Sequence, residues 1–238
     1  MSLYKTRGIV IGRYEFGEAD KIIVLLTTDK GVIRCVAKGI RRIKSKMAGH
    51  LELFSETEVM MATGKNMDVI TSARMLTRHD VTASYDQMRI AYLVGEMVNR
   101  LGADGDHPGL YELVSQTLSN LDHPDEVLEL WFKLRLLDVL GYRPGLDACM
   151  KCHQKKENED YSFNDALGGI VCRSCRVGLG SPMTIEQIKF WRILIDGSIA
   201  RSRSVSKAVD LAKEGIVICN QFYEYTFGKQ FRSEQTLA

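Results

Sequence analysis

Two C-x-x-C pairs are the strongest constraint on how this chain can fold. The pairs are Cys149–Cys152 and Cys172–Cys175, and nineteen residues lie between them. Two such pairs separated by about 15–20 residues are typical of a zinc-binding ribbon. Each pair can place two thiolates on one metal ion, and both together complete the tetrahedron that structural Zn²⁺ prefers. The sequence therefore predicts one structural zinc ion per chain, held in a knuckle by these four cysteines.

Other uses of the cysteines remain open at this point. Reduced thiols that bind nothing are one alternative, and thiol–disulfide exchange is another, although a redox motif needs only one pair. A catalytic zinc site keeps an open position, whereas four cysteines close the coordination shell. We expect His153, next to the first pair, to be a surface residue rather than a ligand. Cys35 and Cys219 are predicted to be small buried hydrophobic residues.

Hydrophobic patterning divides the chain into a strand-rich part and a helical part, which predicts an α+β protein. Five β-rich runs with turn signals between them indicate a small five-stranded barrel; they cover residues 6–14, 21–28, 32–38, 52–62 and 67–78. Apolar residues then take helical spacing, which predicts helices at residues 80–101, 107–121, 125–140, 184–196 and 204–227. Gly8, Gly12 and Gly39 are expected to permit the bulges and bending that barrel closure requires, and Gly141 is expected to end the helix at 125–140. We expect a barrel domain at residues 1–80 and a helical domain at 81–238, with a zinc-binding insertion at about 145–180.

A basic segment lies between Lys30 and His50 and contains no acidic residue. Its seven cations are Lys30, Arg34, Lys38, Arg41, Arg42, Lys44 and Lys46. In the predicted strand 32–38, Arg34 and Lys38 share one face, while Cys35 and Ala37 lie on the other. Cations without counter-charges favour an anionic partner, and a basic groove on a small barrel suits the backbone of single-stranded nucleic acid. A solvated lysine-rich face is the alternative.

Aromatic residues are sparse in the first 80 residues, where they are Tyr4, Tyr14, Phe16 and Phe54. Because some of them must fill the barrel core, few remain to stack on bases. We therefore expect phosphate contacts to carry most of the affinity for nucleic acid, with weak sequence preference and strong salt dependence.

Catalytic motifs are absent from the sequence: it has no phosphate-binding P-loop, no nucleophile elbow and no dinucleotide-binding glycine motif. We therefore expect a binding protein rather than an enzyme. Three alternatives stay open, namely a zinc-ribbon RNA-binding or transcription accessory protein, a zinc-stabilised hydrolase, and a scaffold that works through its acidic helical half. The sequence shows neither a membrane-spanning run nor a signal peptide, so a cytoplasmic location is expected.

Four short segments carry a family resemblance, and they read EADK at 18–21, LTTDKG at 26–31, AKGIRRIKSK at 37–46 and LELF at 51–54. With the order of barrel, helical body and paired-cysteine insertion, the chain resembles RecO, a family of bacterial recombination mediators, over essentially its whole length. The resemblance is specific in residues 37–46 and in the cysteine pairs, and diffuse in the helices.

The resemblance implies an N-terminal OB-fold, a helical remainder and a zinc knuckle. It implies binding of single- and double-stranded DNA, annealing of complementary strands, and action with RecR to load RecA onto DNA coated with single-strand binding protein (SSB). It further implies a nucleoid-associated protein that hydrolyses no nucleotide. DNA contact carries over to the basic segment from Arg34 to Lys46, and zinc to the four paired cysteines. The SSB C-terminal tail is a further implied partner, with candidate cations at Lys189, Arg192, Arg201 and Arg203.

Overall fold

The computed structural model describes residues 2–103, 105, 107–155, 160–176, 180–228 and 231. Its N-terminal part contains five strands, one for each predicted run; they are β1 (Leu3–Phe16), β2 (Asp20–Thr27), β3 (Gly31–Ala37), β4 (Ser55–Ala62) and β5 (Asp68–Arg78). A turn centred on residues 28–30 joins β2 to β3, as the Asp-Lys-Gly sequence predicts. The basic segment continues through turns after β3 into a 3₁₀ turn at Ala48–His50.

The five strands close into a barrel in the order β1-β2-β3-β5-β4, which confirms the predicted five-stranded OB-fold. Strand β1 makes the closure possible because it pairs antiparallel with β4 through its first part and with β2 through its second. The β3–β5 pair is parallel. The register of β1 against β2 shifts between Val10 and Gly12. This is a bulge, at one of the glycines expected to permit the bending that closure requires.

The barrel interior is apolar and alternates with the outer face along each strand. Val10, Ile23, Cys35 and Ala37 belong to this interior cluster, and Cys35 is fully buried. The neighbouring Arg34 is exposed. The predicted division of β3 into a cationic face and a core face is therefore confirmed.

Two helices complete the first compact unit, which comprises Met1–Asp122. Helix α1 (Tyr85–Leu101) begins after Ser84, whose side chain accepts a hydrogen bond from the backbone of Gln87. It starts five residues later than predicted because this cap sets its first turn. Helix α2 covers Leu110–Ser119. Helix α1 lies against β1 at Gly95, where an added Cβ would come 3.1 Å from both the Ile11 carbonyl oxygen and the Phe54 ring.

The second compact unit comprises His123–Ala238. Its elements are α3 (Glu126–Val139), β6 (Tyr161–Asn164), β7 (Gly169–Cys172), β8 (Ser181–Met183), α4 (Ile185–Asp196), α5 (Ile199–Arg203) and α6 (Ala208–Phe227). The three strands form an antiparallel sheet in the order β7-β6-β8. Gly141 has φ +84° just after α3, as expected of a glycine that ends a helix.

The prediction of one helix over residues 204–227 is wrong at its start. A separate short helix, α5, precedes it, and the side chain of Ser198 caps α5 by accepting from the backbone N–H of Arg201. Lys207 then adopts a left-handed conformation with φ +59°, so α6 cannot extend back through it. Within the described residues, no helix is both long and apolar enough to span a membrane.

Candidate metal centre and cationic surface

The four paired cysteines come together as predicted. The Sγ atoms of Cys149, Cys152, Cys172 and Cys175 all lie within 4.8 Å of one another. The Sγ atoms of Cys152 and Cys172 are 3.9 Å apart, close to the ~3.8 Å that a tetrahedron with Zn–S bonds of about 2.3 Å would give. All four are free thiols rather than disulfides. This cluster could hold a metal ion.

Backbone hydrogen bonds build the cluster from two turns. The first turn closes where the N–H of His153 donates to the Cys149 carbonyl at 2.8 Å, and the N–H of Met150 joins this turn to β7 by donating to the Ile170 carbonyl, also at 2.8 Å. The second pair lies where β7 runs into a 3₁₀ turn at Arg173–Cys175. His153 is exposed and has φ +58°, a conformation that histidine tolerates better than most residues, so the structure confirms that it is a surface residue.

The thiols of the cluster differ in acidity. Burial raises the pKa of Cys149, but backbone N–H groups of Cys152, Cys172 and Lys151 outweigh it and lower that pKa to about 6. Neighbouring thiols of Cys152 and Cys172 raise the pKa of Cys175 to about 12. The Cys149 sulfur is therefore stabilised as an anion, whereas the Cys175 sulfur holds its proton more tightly. A divalent cation favours the thiolate form of the sulfurs that it binds.

The seven cations of the basic segment are all exposed. Lys30 lies in the turn between β2 and β3, with its Nζ 3.5 Å from the centroid of the Tyr4 ring. The Tyr4 hydroxyl donates to Asp68, and burial together with this carboxylate raises the Tyr4 pKa above its usual range. Lys30 in turn helps to lower the pKa of Asp68. Lys30 thus already has an aromatic and an acidic neighbour.

The remaining cations follow β3 into the loop behind it. We call residues 38–46 the basic loop. Arg41 makes an ion pair of 3.4 Å with Glu15. Four cations of the loop make no ion pair within 4 Å to any residue that the structure describes; they are Lys38, Arg42, Lys44 and Lys46. Ile43, in the middle of the loop, is fully exposed.

Arg34 has a partner that the sequence reasoning did not identify. Its guanidinium donates to Oδ1 of Asn99 at 3.2 Å, and Nδ2 of Asn99 donates to the Tyr14 hydroxyl at 2.8 Å. Asn99 lies on α1, 65 residues after Arg34, and no local motif marks it. It joins a cation of β3 to an aromatic residue of β1 on the outside of the barrel.

The four cations suggested for the SSB tail divide into two groups. Arg192 donates to the Leu146 carbonyl and lies 3.5 Å from the carboxylate of Asp147. Arg203 pairs with Asp125 at 2.9 Å. These two side chains therefore make contacts within their own unit, whereas Lys189 and Arg201 are exposed.

Comparison with known proteins places both parts of the chain in one family. The family model described as "Recombination protein O N terminal" matches residues 1–78, and "Recombination protein O C terminal" matches residues 83–235. A protein named "DNA repair protein RecO" from Dehalococcoides mccartyi is 34% identical over 201 residues, covering 82% of this chain and 79% of the relative.

Two further relatives carry the same name. The one from Rubrobacter xylanophilus is 34% identical over 180 residues, covering 74% of this chain and 73% of its own length. The one from Desulfitobacterium hafniense is 29% identical over 242 residues and covers 98% of this chain and 88% of its own. With a closed OB-fold barrel, a helical unit and a gathered set of four cysteines, the chain belongs to the RecO family of DNA repair proteins.

Proposed function

We propose that this protein binds single- and double-stranded DNA, anneals complementary strands, and acts with RecR to load RecA onto SSB-coated single strands. The observation that carries the proposal is the basic loop, where four exposed cations without an ion pair among the described residues follow β3 of an OB-fold barrel. OB-folds bind oligonucleotides on the face formed by strands 2 and 3 and on the loops between strands 1 and 2 and strands 4 and 5; the basic loop begins at the end of strand 3 of that face. In this role the protein is a mediator rather than an enzyme, and it works in the cytoplasm, associated with the nucleoid.

Charge neutralisation predicts how steeply the affinity for DNA should fall as the salt concentration rises. Each phosphate of a single strand that meets a cation contributes about −0.7 to the slope of log affinity against log salt. Contact by the four loop cations alone gives a slope of about −3, and contact by all seven cations of the basic segment gives about −5. Because Lys30 already lies over the Tyr4 ring and Arg41 already pairs with Glu15, we expect a slope between these two values.

Annealing follows from the same surface. Two DNA strands repel each other until their phosphates are screened, and a cationic loop that projects from the barrel provides that screening. Residues 1–80 act as the DNA-binding domain in this proposal. Residues 81–238 form the helical domain, which carries the cysteine insertion at about 145–180.

We assign Zn²⁺ to the four-cysteine cluster, with one ion per chain and a structural role. Four thiolates at tetrahedral spacing leave no open coordination position, which supports a structural rather than a catalytic ion. When bound, the ion would hold the Cys149 turn against the end of β7. Backbone hydrogen bonds then orient the residues that flank the two turns.

Protein partners enter the proposal through the family. RecR and the SSB C-terminal tail are the direct partners, and RecA is the indirect one. For the SSB tail, the exposed Lys189 and Arg201 remain candidates, because Arg192 and Arg203 already bind acidic groups of their own unit.

The test is an annealing assay on complementary oligonucleotides coated with SSB, with and without RecR. We expect the protein to accelerate duplex formation and RecR to alter the rate on coated strands. A protein that leaves annealing at its spontaneous rate, or that binds RNA in strong preference to DNA, would contradict the proposal.

A further inference from the structure

The geometry points to a base-stacking site on the outside of the barrel. We propose that Tyr14 and Phe16 stack on unpaired bases of single-stranded DNA, while Arg34 and Lys38 bind the phosphates beside them. This inference rests on the proposed DNA binding and deepens it, since it adds contacts to bases where the sequence predicts contacts to phosphates.

A bulge turns these two aromatic residues outward. Before the bulge, Val10 lies opposite Leu25, and both face the barrel core. After it, Gly12 lies opposite Val24, which is buried but lies outside the interior cluster of the barrel. Because side chains alternate along a strand, one extra residue reverses every face beyond it. Tyr14 and Phe16 would otherwise lie on the core face of β1.

Both rings are left open to solvent. Tyr14 is 50% exposed and Phe16 is 44% exposed, whereas Phe54 is buried and belongs to the packing against α1. Exposed aromatic rings are the sequence-tolerant stacking surfaces that single-strand binding proteins use.

Cations border the rings on the same outer face. Tyr14 pairs with Ile22, and Ile22 pairs with Val36 of β3. Arg34 lies two residues before Val36 and shares its face, and Lys38 lies in the turn that follows β3. Two strand spacings of about 4.8 Å separate β1 from β3. The backbones of the two strands therefore lie about 10 Å apart, which suits a nucleotide whose base lies on β1 and whose phosphate lies at β3.

Fixed contacts hold this arrangement before DNA binds. Asn99 accepts from Arg34 and donates to the Tyr14 hydroxyl, so one side chain positions both the cation and the ring. The Tyr14 ring lies over Gly12, because its Cε2 is 3.3 Å from where a Gly12 Cβ would be. A ring held in position loses little conformational entropy on binding.

Three acidic residues lie near the rings; Glu18 is exposed in the turn between β1 and β2, and the other two have partners. Glu15 pairs with Arg41 at 3.4 Å. Asp20 accepts the backbone N–H of Gly39 at 2.7 Å. At the edge of the proposed site, one carboxylate is therefore in an ion pair and the other accepts a backbone hydrogen bond.

The spacing of the rings selects unpaired bases. Tyr14 and Phe16 are two residues apart on one strand, which is about 6.7 Å. Stacked bases follow one another at about 3.4 Å along a strand. Adjacent bases can therefore meet both rings only in an extended, unstacked strand, and a duplex cannot provide this.

The test measures binding of the full chain to three labelled ligands: a dT oligonucleotide, a strand of equal length with abasic sites in its central positions, and a duplex. We expect Tyr14→Leu to weaken dT binding about tenfold. Its binding to the abasic strand and to the duplex should equal that of the wild type, and the salt slope should not change. Tyr14→Phe should keep most of the dT affinity, because it keeps the ring and its packing over Gly12 and loses only the positioning bond to Asn99.

Two further variants serve as a second test of the stacking site and as a control. Phe16→Leu should weaken dT binding in the same selective way. It replaces Tyr14→Leu in the test if that variant does not fold. Tyr85→Leu is the matched control, since Tyr85 is 56% exposed on α1 and lies about 21 Å along the helix from Asn99 at 1.5 Å per residue. It should bind all three ligands normally.

The inference is overturned if the two leucine variants bind dT like the wild type, or if they lose the same affinity for dT and for the abasic strand. A wild-type protein that binds none of the three ligands at low salt would instead overturn the proposed function itself. The two failures are therefore distinguishable.

Discussion

The backbone N–H of Cys172 donates to the Sγ of Cys149 across 3.4 Å, which joins the two cysteine turns directly. This hydrogen bond favours the thiolate of Cys149, because an N–H stabilises the anion that it faces. The Cys149 sulfur is therefore favoured as the negatively charged thiolate that a metal cation binds.

Replacing one cysteine of the cluster should remove the metal and loosen the second unit. Cys172→Ser is expected to reduce bound zinc from one ion per chain to none, since three thiolates and a weak hydroxyl ligand hold Zn²⁺ poorly. Elemental analysis measures the metal directly. His153→Asn is the control, because it changes the neighbouring exposed residue and keeps a side chain that tolerates a positive φ. Loss of zinc from the control as well would place His153 among the ligands.

Acid should release the metal. In the metal-free cluster the pKa of Cys149 is lowered from its usual value to about 6, so its thiolate forms above that pH. Metal binding requires thiolates, and we therefore expect zinc retention at pH 7–8 and progressive release in acid, where protons compete with the ion for the sulfurs. A zinc-indicating dye follows the release. Retention of the ion well below pH 5 would contradict the prediction that these cysteine thiolates hold it.

The basic loop should account for most of the salt dependence of DNA binding. Lys44→Ala is expected to reduce the magnitude of the salt slope by about 0.7, the contribution of one phosphate contact. Lys30→Ala is the matched comparison and should change the slope less, because the Lys30 ammonium already lies over the Tyr4 ring. The measurement is oligonucleotide affinity at several salt concentrations. An equal change in both variants would show that the two cations bind DNA alike.

Breaking a buried ion pair in the second unit should lower the stability of that unit without changing DNA binding. Lys133 is fully buried in α3 and bonds Glu129 and the Oδ1 of Asn220, each at 2.8 Å. Glu129→Ala removes the charge that balances the buried ammonium, and we expect it to destabilise the second unit by about 3–5 kcal/mol.

Tryptophan fluorescence during urea unfolding measures this loss, because both tryptophans of the chain, Trp131 and Trp191, lie in the second unit. Lys213→Ala is the control. It breaks the exposed 3.7 Å pair with Glu126, and such pairs contribute about 0–1 kcal/mol. A loss in Glu129→Ala no larger than in this control would refute the role given to the buried pair.

Much of the architecture could be predicted because it depends on local sequence patterns. The β-rich runs, the glycine after α3 and the cysteine spacing each depend on residues close together in the chain, and the structure confirms them. The short helix α5 at Ile199–Arg203 and the start of α6 at Ala208 rather than residue 204 were missed, because they depend on a serine cap and on one left-handed residue, Lys207. A helical hydrophobic pattern does not reveal such a break.

The outer face of the barrel was harder to foresee. Gly12 suggested a bulge, but the sequence could not show that the bulge reverses the faces of Tyr14 and Phe16. Asn99 joins Arg34 to Tyr14 from a helix 65 residues beyond Arg34. Contacts at that separation arise from how α1 lies on the barrel, which periodicity does not encode.

The double pairing of β1 has a consequence for how the protein is made. Leu3 lies opposite Ala62, so the start of β1 leaves the ribosome almost sixty residues before its partner in β4 is synthesised. Until then, its unpaired backbone can bond to another nascent chain. Once β4 arrives, the ring of hydrogen bonds closes and that hazard ends. Slow translation through residues 3–62 would therefore prolong the period in which the polypeptide is prone to aggregate.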